Sequence, residues 1–107
     1  MPLHSAGRGL RLSQFCDIRR VPVGNDAAAR ETMVAALACS NVYPASAEQA
    51  ERAGMAFAAR LMVIYTAAAT VQPDWRLVTG GRDYRIRAVS AWPAGAAQFL
   101  EMLIEEE

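Results

Sequence analysis

Gly80-Gly81 is the feature that most limits what this chain can become. It stands between two runs of strand-forming residues, Trp75–Thr79 (WRLVT) and Tyr84–Trp92 (YRIRAVSAW). Two residues that accept positive φ, flanked by β-branched and aromatic runs, predict a tight antiparallel hairpin. Alternation in its second arm places Tyr84, Ile86 and Ala88 on one face and Arg85 and Arg87 on the other. One face is then core and the other polar.

The rest of the chain extends a β framework. Arg60–Thr66 (RLMVIYT) is apolar nearly throughout, as expected of a strand buried on both faces. Phe99–Ile104 alternates Leu100, Met102 and Ile104 against an outward Glu101, and Pro93-Ala94-Gly95 separates it from the hairpin. Phe15–Val23 reads as an edge strand, because Pro22 near its end cannot donate to a ladder, and Gly24-Asn25-Asp26 closes it as a turn. Ala27–Cys39 is ambiguous. Asp26 is a candidate helix cap before an alanine-rich run, yet Thr32-Met33-Val34 and Leu37 suit a buried strand. The expectation is a turn or helical piece, then a strand from about Val34 to Tyr43.

Ser46-Ala47-Glu48-Gln49 matches a capping box, and Gly54 stands where a helix would stop, so a short helix is expected over Ala47–Ala53. Its charged residues mark it as a surface insertion. Residues 1–12 hold two glycines, a proline and His4 with little apolar periodicity, and read as a flexible N-terminal arm. The fold class expected is mainly β: one small antiparallel β-barrel or sandwich over residues 13–107, with one short helix in an inserted loop.

Composition narrows the chemistry. Of the 57 residues in the hydrophobic class 22 are alanine, so the 107-residue chain builds a thin core. Eleven arginines balance eleven acidic residues and lysine is absent. That removes Schiff-base chemistry, a lysine-activated nucleophile and the lysine-bearing phosphate loop. Cys16 and Cys39 do not form a C-x-x-C pair and have only His4 as an imidazole companion, so neither a four-ligand zinc site nor a Cys-His constellation is expected. Both are expected as reduced, buried thiols. There is no G-x-S-x-G, H-E-x-x-H or Walker sequence, and Asp74 and Asp83 beside a turn suit solvation or an arginine partner better than hydrolysis. No catalytic residue, metal or cofactor is expected. Without a signal-like apolar core or a membrane-length apolar run, the chain reads as soluble and cytosolic.

The concentrated positive patch is Arg82, Arg85 and Arg87, with Arg76 on the neighbouring strand. It is either a solvated face paired with Asp74 and Asp83, or a contact to another subunit or to nucleic acid. Glu105-Glu106-Glu107 forms an acidic counterpart.

NVYPASAEQAERAG, RLMVIYT, PDWRLVTGGRDYRIRAVSAW and FLEMLIEEE, in that order, resemble the bacteriophage head–tail joining family, the head-closure or stopper proteins of long-tailed phages and gene transfer agents. The similarity covers roughly residues 12–107. It rests on Tyr43 and Pro44, Glu48, Arg60 with Tyr65, Gly81-Arg82-Asp83-Tyr84-Arg85-Ile86, and Leu100 through Glu105. The alanine-rich stretch 27–38 departs from the family, where a more plainly β run is expected. The resemblance implies a small β-barrel that assembles as a six-membered homo-oligomeric ring in the virion neck, after synthesis in the host cytoplasm. It would sit beneath the portal and adaptor, retain packaged double-stranded DNA, and dock the tail-side protein. A tail-completion protein, an adaptor or a stand-alone cytosolic binding barrel are the alternatives. Neutrality without lysine suits a ring through which DNA passes without sequence-specific binding. Under this reading Arg82, Arg85 and Arg87 of one subunit meet Glu101, Glu105 and Glu106 of the next. Ser46, Glu48, Gln49, Glu51 and Arg52 form a loop that faces the channel.

Overall fold

The computed structural model describes residues 11–20, 31–56, 60–92 and 98–107. The expectations for the arm up to residue 10, Val21–Val23, the turn at Gly24-Asn25-Asp26, the piece from Ala27 to Arg30, and the break at Pro93-Ala94-Gly95 lie outside these residues. Strands β1 (Gln14–Arg20), β2 (Glu31–Cys39), β3 (Tyr43–Pro44), β4 (Leu61–Ala67), β5 (Arg76–Thr79), β6 (Arg82–Trp92) and β7 (Phe99–Glu106) form one antiparallel sheet in the order β2-β1-β5-β6-β7-β4-β3. A further pairing, Cys39 with Thr66, joins β2 to β4 and closes the sheet into an uneven barrel. Among the described residues one short helix, α1 (Ala47–Arg52), lies between β3 and β4. The expected fold class is the one observed.

The hairpin forms where the glycines stand. Gly80 and Gly81 have φ of 57° and 74°, the left-handed pair that matches the twist of the flanking strands. Cys16, Ile18, Leu37, Cys39, Ile64, Leu77, Tyr84, Ile86, Leu100, Met102 and Ile104 fill the barrel. A second cluster lies on the outer face, where Ala45 and Ala50 cover Leu61, Val63 and Leu103. This explains the apolar run of β4: Ile64 and Thr66 face the barrel core, while Leu61 and Val63 lie beneath α1.

Three local expectations are corrected. First, β1 is an interior strand, paired with β2 along its length and with β5 through Asp17–Arg19, because barrel closure needs both of its edges. Second, the strand placed at Val34–Tyr43 begins at Glu31 and ends at Cys39, with Tyr43–Pro44 a separate pairing on β4. The path between them bends at Ser40, whose hydroxyl takes the Tyr65 N–H at 3.0 Å while its own N–H donates to the Tyr65 carbonyl at 2.8 Å. Third, Ala88 leaves the core face. Ile86 opposes Ile104 but Ala88 opposes Leu103, so Arg87 is the extra residue of a bulge that inverts the alternation. Val89 then packs against the barrel core and Ala88 against the outer cluster. The surface helix α1 stands between β3 and β4 as expected, with Glu48, Glu51 and Arg52 exposed and Ala50 buried against the outer face of the sheet. Its capping box is complete: Gln49 N–H donates to Ser46 Oγ and Ser46 N–H to Gln49 Oε1.

Candidate functional site

Barrel geometry brings the predicted arginines and acids together within one chain. Arg82 Nη1 lies 3.2 Å from Glu106, Arg85 Nη2 lies 3.0 Å from Asp74, and Arg87 Nη1 lies 2.8 Å from Glu105. Arg60 Nη2 also donates to the Glu106 carbonyl at 3.0 Å. The β6–β7 register sets Glu105 and Glu106 opposite Arg85 and Tyr84, within reach of Arg87 and Arg82, while Arg85 turns to Asp74 just before β5. Asp74 is held for its role by backbone bonds. It adopts φ 72°, a left-handed conformation that aspartate tolerates better than most residues, and its N–H donates to the Ile86 carbonyl at 2.7 Å. Each pair is at least partly exposed and contributes about 0–1 kcal/mol.

Glu101 stands apart from this set. Its side chain is 11% exposed, accepts Arg52 Nη2 at 3.2 Å and accepts the Tyr65 hydroxyl at 3.1 Å. These groups line a cleft of about 440 Å³ between α1 and the outer face of the sheet, with Ser46, Glu48, Gln49, Trp92 and Phe99 completing its wall. The Arg52 guanidinium lies 5.5 Å from the Trp92 ring centroid, and Tyr65 meets Phe99 edge-on at 6.1 Å. Burial, followed by the neighbouring Glu101 carboxylate, pushes the Tyr65 hydroxyl above its ordinary range, so it stays a neutral donor. Four of the five residues expected to face a channel therefore share a cleft with Glu101, expected at a subunit contact. Glu51 is exposed elsewhere on α1.

Cys16 and Cys39 are free and buried. Burial comes first in raising both thiols, and for Cys16 the adjacent Cys39 adds to it. Thiols held protonated in this way are poor nucleophiles.

Two features escaped the sequence reading. The first is the aromatic wall of the cleft, since Tyr65, Trp92 and Phe99 belong to three strands whose adjacency is a tertiary fact. The second is Arg19. Alternation in FCDIRR does place it on the face opposite Cys16 and Ile18, but β1 read as an edge strand gave it no arginine neighbours. In the barrel Arg19 lies directly opposite Arg76, which lies directly opposite Arg85. Arg76, expected in a surface patch, is itself only 9% exposed.

Comparison of the chain with protein-family models, curated proteins and solved structures finds no match.

Proposed function

We propose that this chain is a structural component of a phage-type head–tail connector, a head-closure protein that forms a ring below the portal and adaptor, retains packaged DNA and docks the tail. One observation carries the reading. The stretches that resemble the head–tail joining family are Tyr43-Pro44, Glu48, Arg60 with Tyr65, Gly81–Ile86 and Leu100–Glu105. They fall on β3, α1, β4, β6 and β7, with Arg60 and Gly81 immediately before β4 and β6, a contiguous part of one small barrel in the order β6-β7-β4-β3 with α1 on its outside. Motifs scattered in sequence thus share one contiguous part of the barrel, with Tyr84, Ile86, Leu100, Met102 and Ile104 inside it and Tyr43, Glu48, Arg82 and Arg85 on its outside, which suits a structural scaffold better than a turnover site.

The ion pairs within the chain refine how such a ring closes. Glu105 and Glu106 already have arginine partners at home, so a trans pairing would exchange one exposed pair for another with little net gain. Charge then sets register and encounter rate, and apolar contact supplies the affinity.

Imaging of particles made without this protein tests the reading. The expected outcome is heads that package DNA, lose it and carry no tails. Tailed, DNA-filled particles would overturn it. Reversing Arg85 and Arg87 to glutamate should block incorporation without unfolding the subunit, because each exposed pair contributes only about 0–1 kcal/mol, and reversing the matching acids Glu105 and Glu106 to arginine should partly restore incorporation.

A further inference from the structure

Cross-strand register lines up Arg19 on β1, Arg76 on β5 and Arg85 on β6 in one row on the outer face of the barrel. Directly opposed positions bring Cβ atoms to roughly 4.5–5.5 Å, where like charges destabilise a sheet. Three arginines in such a row need anions between them; Glu105, opposite Arg85, is taken by Arg87, and the carboxylates among the described residues leave two buried donors, Arg19 Nε and Arg76 Nε, without an aligned acceptor. Asp17 lies 3.8 Å from Arg19, at the long end of an ion pair, and Asp74 serves Arg85 at 3.0 Å. The central Arg76 is the most buried, with 11% of its side chain exposed. Its Nη1 donates to the Asp74 carbonyl at 2.6 Å, and its Nε lies 2.8 Å from Glu107 Oε1 without the alignment of a hydrogen bond. Arg19 Nε is also buried without an acceptor.

We infer that the Arg19–Arg76–Arg85 row is a phosphate-binding site, which the Glu107 carboxylate fills in the free chain. A carboxylate presents two oxygens in one plane, and here it leaves guanidinium donors on two arginines unanswered. A phosphate presents its oxygens tetrahedrally, and so reaches donors on three surrounding guanidinium groups. Glu107 is a replaceable occupant, because its side chain is 33% exposed and can turn away while its N–H stays on the Asp83 carbonyl at 3.1 Å. The site goes beyond the connector reading and does not require a ring. Its ligand is a phosphate group, whether free or in a nucleic-acid backbone.

The test uses the intact chain and inorganic phosphate, titrated at constant ionic strength against sodium chloride and followed by NMR shifts of arginine side chains and by thermal melting. Phosphate should raise the melting temperature where chloride does not. Glu107→Gln should bind phosphate roughly tenfold more tightly, the scale of one charge-assisted hydrogen bond gained. Arg85→Gln and Arg19→Gln should each weaken binding by about the same factor. Their side chains are partly exposed, 47% for Arg85 and 35% for Arg19, so they decide the matter even where Arg76→Gln fails to fold. Glu51→Gln, the same charge change on α1, should leave affinity within about twofold. A response to phosphate no greater than to chloride, or an equal gain from Glu51→Gln, overturns the site. A fluorescent DNA duplex separates the sources. If Glu107→Gln tightens duplex binding and phosphate competes with it, the ligand is a phosphodiester. If phosphate binds and the duplex does not, the ligand is free phosphate.

Discussion

Replacing Ile86 with alanine isolates the contribution of the barrel core. Ile86 is fully buried, opposes Ile104 across β6 and β7, and belongs to the cluster that includes Leu77, Tyr84 and Met102. The substitution removes three carbons, about 2.4 kcal/mol of transfer free energy at ~0.8 kcal/mol per methylene. If about 40 Å³ of the vacated space persists, ~24 cal/mol per Å³ adds about 1 kcal/mol. The expected loss is therefore about 3–4 kcal/mol, a large share of the roughly 5–15 kcal/mol that holds a domain of this size. An unfolding entropy near 2.1 cal/mol/K per residue converts this into a melting temperature lower by about 15 °C. Urea unfolding with an unchanged m-value, read beside calorimetry, measures both quantities. A loss below about 1 kcal/mol would refute the assignment, since surface substitutions stay within about 0.5 kcal/mol.

Ser46→Ala removes half of the capping box and should cost about 1 kcal/mol, visible as faster amide exchange over α1 before any global change in melting. Gly80→Val should cost about 1–2 kcal/mol through backbone strain alone, since a Cβ there meets nothing within 4 Å; Gly80→Asn, which tolerates φ near 57°, should cost less, and equal losses would contradict the turn geometry. Cys16 and Cys39 predict an alkaline limb. Both are raised from an ordinary value of 9.0 in the folded chain, so the unfolded chain releases these protons first, and the stability present below about pH 9 falls as pH rises. The slope reaches at most about 1.4 kcal/mol per pH unit for each thiol, and it should flatten in Cys16→Ser; an unaltered slope measured by urea unfolding from pH 8 to 10 would exclude the thiols as its source.

What the sequence alone determined about this protein is local. Gly80-Gly81 between two β-rich runs dictates the hairpin, because few other residues accept two successive left-handed conformations. Ser46 and Gln49 dictate where α1 starts, because both halves of the capping box come from residues three apart. Leu100, Met102 and Ile104 face the core as their alternation predicts. Tertiary structure decided whatever depends on which strands become neighbours. Pro22 argued for an edge, yet closure of the barrel makes β1 an interior strand. The simple alternation of β6 fails after Ile86, because matching β7 on a curved barrel admits Arg87 as an extra residue and turns Ala88 outward. The acids expected to reach another subunit find arginines at home, because β6 and β7 pair in that register. Most of all, Arg19, Arg76 and Arg85 are far apart in sequence and are brought side by side only by the order β1-β5-β6. No pattern within one strand can reveal that juxtaposition, since the energy that enforces it comes from burying the opposite faces of the same three strands.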